Sequence, residues 1–167
     1  MSYFENQIII LNTEHFSVFV PSTPHIDRGD GGHICICCTN DNKYYLQDLS
    51  ELEVLELGVL LKLVGKIMMS VLNENGVDVG LVNYQINGNW TYNHPDKPLL
   101  HAHIYGRAFS AKVQRFGQAL NFPLKKDNED FYKNNSQLTE LDIDEIRHRL
   151  TTEIESSYSK IMQIKPL

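Results

Sequence analysis

Positive charge is scarce in this chain: 15 lysines and arginines stand against 21 aspartates and glutamates, for a net charge of −6. Proteins that grip a nucleic-acid backbone cluster lysine and arginine to displace its counterions. The charge balance therefore argues against a nucleic-acid surface, and any phosphate-bearing partner is expected to be a small molecule. Cysteine is also scarce, with 3 residues in 167. Cys35, Cys37 and Cys38 crowd one apolar run, where an odd number of thiols reads as buried and reduced rather than as a disulfide framework or metal ligands. Such thiols suit a reducing compartment, and the cytoplasm is expected. Long uninterrupted hydrophobic runs are missing. The most apolar stretch, Val54 to Leu72, is broken by Glu56, Lys62 and Lys66, which argues against a membrane span. The opening Met1-Ser2-Tyr3-Phe4-Glu5-Asn6-Gln7 lacks the basic start of a signal peptide. Internal repeats and low-complexity runs are absent.

What is present suffices for one compact domain, because a chain of 167 residues that is 42% hydrophobic can bury a core without disulfides or a structural metal. Apolar runs 8–11 and 16–20 flank Asn12-Thr13-Glu14-His15 and predict a β-hairpin. The Pro- and Gly-rich segment from Pro21 to Gly32 is a loop feeding a strand over 33–38. Ser50 and Glu53 fit a capping box that opens a helix over 51–74, closed by Asn75-Gly76. A buried strand over 78–86, a turn at Asn87-Gly88-Asn89 and a strand over 99–106 follow. Beyond the charged connector Lys125 to Asp130, Ile143, Ile146, Leu150, Ile154 and Ile161 recur at helical spacing, with Asp142 and Glu145 suited to the first turn. This predicts an amphipathic helix packed on the same domain or on a second subunit. The fold class is α+β, an antiparallel sheet of about five strands with a long central helix. Residues 1–124 form the domain and 125–167 a C-terminal helical extension.

The chemistry is concentrated in Leu99-Leu100-His101-Ala102-His103-Ile104-Tyr105-Gly106-Arg107. Two residues apart on a strand, His101 and His103 point to the same face. Buried imidazoles need a hydrogen-bond partner, a metal or a substrate. His33 is delivered by the Gly31-Gly32 turn onto an apolar strand, and Asn83 stands where an apolar residue would be expected; each is a candidate partner. The bland reading, satisfied polar residues in a core, stays open for both. Trp90 and Tyr92 could stack on a base or pack, and Arg107 is left without a role.

Together these segments resemble the histidine-triad (HIT) superfamily of nucleotide hydrolases and transferases, whose motif is His-φ-His-φ-His-φ-φ with φ apolar, usually followed by glycine. Matching Ile104-Tyr105 to the closing apolar pair and Gly106 to the glycine makes His101 the middle histidine and His103 the third, with Leu99 in the place of the first. A second register puts His101 first, His103 in the middle and Tyr105 third. The likeness extends over roughly residues 4 to 124, from Thr13 to Pro21 as the first hairpin, through Asp30 to Ile36 as the strand carrying a supporting histidine, to Val82-Asn83. It implies a HIT-like fold and a nucleotidyl hydrolase or transferase acting at the α-phosphate of a dinucleoside polyphosphate, a nucleoside phosphoramidate or an adenylate. His101 would be the nucleophile, His103 a donor to a non-bridging oxygen and His33 an orienting residue, while Asn83 would contact phosphate or ribose; no metal and no cofactor are required. A homodimer sharing its helix and edge strand is also implied.

The chain departs from that pattern in two places. Leu99 has no side-chain hydrogen bond to offer, and His94-Pro95-Asp96-Lys97-Pro98 replaces the Gly-Gln-Ser/Thr-Val loop that touches the leaving group in many relatives. His94 and Lys97 are the chemically able residues there. Two other readings follow: a nucleotide-binding protein without turnover, and a metal-dependent enzyme using His101, His103 and either His33 or His94.

Overall fold

The computed structural model describes residues 6–40, 42–86 and 99–161. Five strands, β1 (Ile8–Asn12), β2 (Phe16–Val20), β3 (His33–Cys38), β4 (Val79–Gln85) and β5 (His101–Ala108), accompany helices α1 (Glu51–Glu74), α2 (Glu129–Lys133) and α3 (Glu140–Ile161). The strands form one antiparallel sheet in the order β1-β2-β3-β5-β4, which is the α+β arrangement the sequence pattern predicts.

Helix α1 starts where a reciprocal cap satisfies two orphan donors: Glu53 N–H donates to Ser50 Oγ at 3.3 Å, and Ser50 N–H to Glu53 Oε2 at 2.6 Å. Its apolar residues recur every three or four positions, so Leu57, Leu60, Val64, Ile67, Met68 and Val71 are buried together against one face of the sheet. Each such side chain contributes about 1.5–3 kcal/mol when fully buried. From the sheet side, Val18, Ile34, Ile36, Ala102 and Ile104 complete this core.

The C-terminal helix packs within the same chain, against α1 and β1. It is fastened by a buried ion pair that the apolar periodicity does not reveal. Arg28 donates to Asp142 through Nε at 2.6 Å and Nη2 at 3.0 Å, and Asn75 and Thr139 supply further hydrogen bonds. Burial opposes ionisation of Asp142, but hydrogen bonds from Arg28, Thr139 and Asn75 win and hold its carboxyl below the ordinary value. Among the described residues no helix is long and apolar enough to cross a membrane.

Two expectations need correction. The strand over 78–86, read as buried from Val79, Leu81 and Val82, is β4 at the sheet edge, where Leu81 is 54% and Tyr84 46% exposed. Apolar composition cannot tell an edge strand from a central one. The last strand begins at His101 rather than at residue 99, because Leu100 directs its N–H to Lys43 O and accepts from Cys38 N–H. It runs on to Ala108, which pairs with Val79.

The glycine turn ahead of β3 has a steric cause. Gly31 and Gly32 both take positive φ, at 129° and 77°, and a Cβ on Gly106 would lie 2.0 Å from the Gly31 carbonyl oxygen. The two backbones therefore touch, which fixes the start of β3 against β5. Asp30 secures the same turn by accepting backbone N–H bonds from Lys112, Val113 and Gln114 at 2.7–2.9 Å.

His15, in the β1–β2 turn, lies 2.6 Å from Glu56 Oε2 on α1. That hydrogen bond raises the imidazole above its ordinary value of 6.5. The folded chain thus favours protonated His15. Its stabilisation is fully present below the unfolded-state value and is lost as pH rises through the raised folded value. His15→Ala is expected to cost about 1 kcal/mol at about pH 5.5 and clearly less at about pH 9. Denaturant midpoints at the two pH values check this; equal losses would assign the contact to packing alone.

Candidate active site

The β3–β5 register sets His33 opposite Tyr105, Cys35 opposite His103 and Cys37 opposite His101. Directly opposed residues share a face, so these six side chains project from the side of the sheet away from α1. His101 and His103 have ring centroids 4.8 Å apart, and His33 and His103 5.1 Å. The thiols divide as the alternation predicts: Cys35 and Cys37 join Phe19 on this face, while Cys38 enters the main core.

Hydrogen-bond partners dictate the protonation of each ring. Nδ1 of His101 is 2.8 Å from the Leu99 carbonyl oxygen. A carbonyl only accepts, so Nδ1 carries the proton and Nε2 keeps its lone pair. Leu99 lacks an imidazole, yet its backbone supplies the contact that fixes the neighbouring ring. A second chain of bonds begins at the His25 backbone N–H, which donates to Nδ1 of His33 at 3.1 Å. Nε2 of His33 must then bear the proton, and it lies 3.0 Å from Nδ1 of His103. His103 accepts there and holds its own proton on Nε2. The second register, with His103 as nucleophile, would need a lone pair on that same nitrogen.

The electrostatics keep these rings neutral. Burial pushes His33 well below its ordinary value, takes His103 down to about 2, and takes His25 to about 4 with help from the Lys125 charge. His101 is also lowered by burial, against the opposing pull of the Leu99 carbonyl. Burial raises the Tyr105 phenol and the Cys35 thiol, so they too stay protonated near pH 7.

A cavity of about 280 Å³ opens over these side chains, near the low end of the range for small-molecule sites. Phe19 and His25 lie on its wall. Phe122, Lys125 and Tyr132 also line it, from both sides of the boundary drawn at residue 124. His25 is the main residue the sequence reading overlooked. Its Nδ1 is 2.8 Å from the Tyr105 hydroxyl and its ring sits 5.1 Å from that of His103. Tyr105 was legible, since it alternates with His101 and His103 on β5. His25, in a loop, and Lys125, at the start of a three-residue 3-10 turn, carried no periodic signal.

Asn83 shares the face of Tyr105, which it opposes across β4 and β5, but it is not part of the cavity wall. Its Oδ1 accepts from Arg107 Nη1 at 3.3 Å. Arg107 in turn donates to the carbonyls of Gln114, Arg115 and Gln118. Asn83, expected at the phosphate or ribose, and the unassigned Arg107 thus brace the loop after β5. His94, Lys97, Trp90 and Tyr92 lie outside the described residues.

His25, His33 and His103 offer nitrogens that all lie within 4.8 Å of one another, a spacing compatible with a metal ion. The direction of the bonds tells against that use. With Nδ1 of His33 accepting from backbone, its Nε2 carries a proton and has no lone pair for an ion.

No sequence-family model and no curated protein matches the chain. Solved structures do. A histidine-triad protein from Bradyrhizobium japonicum is 17% identical, with 87% of this chain and 91% of that one covered at a TM-score of 0.54. A HIT-like protein involved in cell-cycle regulation from Bartonella henselae is 14% identical, with 86% and 87% covered at 0.56. A hypothetical histidine-triad nucleotide-binding protein from Sulfolobus tokodaii is 15% identical, with 97% and 93% covered at 0.53. The chain shares the fold of these histidine-triad proteins.

Proposed function

We propose that this protein is a nucleotidyl hydrolase or transferase acting at the α-phosphate of a small nucleotide through a covalent nucleotidyl-histidine. The observation that carries this reading is the Leu99 carbonyl on Nδ1 of His101, which leaves a lone pair on Nε2 in a ring kept neutral by burial. In the first step that lone pair attacks the α-phosphorus and a P–N bond forms. The bond from phosphorus to the leaving group breaks, and its electron pair goes with the leaving group. The imidazole now holds phosphorus on Nε2 and a proton on Nδ1, as a cation whose proton faces the Leu99 carbonyl. Water then adds to phosphorus and passes a proton to solvent, and the P–N electron pair returns to His101. His103 donates its Nε2 proton to a non-bridging oxygen as charge builds, a contact of the kind worth about 2.7–4 kcal/mol. His33 orients His103, and no step calls on a metal.

Incubation with a panel of dinucleoside polyphosphates, nucleoside phosphoramidates and aminoacyl adenylates tests the proposal. Release of nucleoside monophosphate is expected for at least one class, unchanged within about twofold after chelator treatment. Chelator-sensitive turnover would move the reading to a metal-dependent enzyme. Binding without product would move it to a nucleotide-binding protein.

The homodimer is proposed on the exposed edge of β4. Its Leu81, Val82 and Tyr84 border a groove with Leu61 and Met69 of α1, an apolar strip suited to a two-fold partner. Light scattering of the full chain is expected to give twice the chain mass, and a monomer at high micromolar concentration would remove the dimer.

A further inference from the structure

This inference rests on the nucleotidyl-transfer reading above and concerns which leaving group the site prefers. Among the described residues of the cavity wall there is no aspartate or glutamate, and a single side chain, Lys125, carries a formal charge. The four histidines lining it are kept neutral by burial. Lys125 Nζ is held at the rim by Thr23 Oγ1 at 3.3 Å. Its field reaches His25, which is lowered partly by that charge and whose ring packs 5.1 Å from His103. The chain as a whole is at −6, so its long-range field repels an anionic substrate, and one ammonium at the cavity mouth reverses the sign locally.

We propose that Lys125 is a specificity-determining residue, directing the site toward substrates whose departing group is itself phosphorylated and away from those that expel an amine. When the P–O bond of a phosphoanhydride breaks, the departing oxygen keeps the electron pair and gains a negative charge. An ammonium within reach stabilises that charge as it forms. An amine leaving group keeps the pair from a P–N bond, so it takes one proton from water to leave as the neutral amine and a second to become an ammonium cation near pH 7. It meets a like charge at Lys125 and, on the described wall, no carboxylate to receive it.

The test compares kcat/KM for diadenosine triphosphate, which expels ADP, with that for an adenosine phosphoramidate of a simple alkyl amine. The wild type, Lys125→Met, Lys125→Glu and His101→Ala are measured in parallel. The wild type is expected to favour the triphosphate. The preference should shrink about tenfold in Lys125→Met, as for one charge-assisted hydrogen bond at a partly solvated place, and further in Lys125→Glu. ATP, which expels pyrophosphate, shows whether the phosphate chain alone suffices or the second nucleoside contributes. A preference unchanged in both Lys125 variants, with His101→Ala still inactive, would overturn the role of Lys125 and leave the transfer reading intact. Turnover of both substrates surviving in His101→Ala would overturn the transfer reading instead. Should the wild type turn over neither substrate, equilibrium binding of ADP against AMP decides. Tighter ADP binding that Lys125→Met abolishes supports the assignment, and equal affinities in wild type and variant refute it.

Discussion

His101→Ala is expected to lower kcat/KM by about four orders of magnitude or more, the loss typical of removing a covalent nucleophile, with little change in stability. The stability expectation follows from geometry: His101 is half-buried at the start of β5, and its Nδ1 hydrogen bond runs to the carbonyl of Leu99, two residues away. Truncation removes no support for the core on the opposite face. Acid should imitate the substitution reversibly. Because burial lowers His101 below its ordinary value, the neutral nucleophile persists at pH values where a free imidazole is already protonated. The acid limb of kcat/KM should therefore fall below pH 6.5. A profile that falls at a higher pH would contradict this assignment of the reactive group. Paired pH–rate profiles and denaturant melts of the wild type and the variant separate catalysis from folding.

His33→Leu is expected to reduce kcat by about a thousandfold, because His33 acts through the tautomer of His103. Its Nε2 proton fixes Nδ1 of His103 as an acceptor and so places the remaining His103 proton on the nitrogen that faces charge. Without it, His103 can settle in either tautomer, and one of them points a lone pair at a phosphate oxygen. Loss of a merely structural residue would not be recovered by matched hydrogen bonding. Glutamine offers both an N–H for His103 and an oxygen for the His25 backbone N–H, so His33→Gln should recover at least tenfold of the lost rate. Equal rates in the leucine and glutamine variants would reduce His33 to a packing role. The effect should fall on kcat rather than KM, since the donor acts where charge develops.

Legibility in the sequence followed periodicity. Strand β3 and helix α1 were readable to the residue, because alternation from His33 to Cys38 and the Ser50–Glu53 cap are local signals. The alternation of His101, His103 and Tyr105 likewise revealed which side chains share a face. What the sequence concealed depends on contacts far apart in the chain. The Arg28–Asp142 pair spans 114 positions, and the edge location of β4 is a property of sheet order rather than of its composition. His25 illustrates both limits. Its backbone N–H sets the tautomer of His33, a fact of loop geometry with no compositional mark. The Leu99 substitution shows the converse, since the motif position suggested a lost contact and the backbone carbonyl at that position provides it.

The central claim is most directly tested by stopping turnover within its first seconds in acid-free denaturant and mapping the modified residue by mass spectrometry. The account predicts a burst of about one equivalent of leaving group per active site, with one nucleotidyl group on the His101 imidazole and none in His101→Ala. An adduct on His103, or leaving-group release with no covalent nucleotide on any histidine, would contradict it.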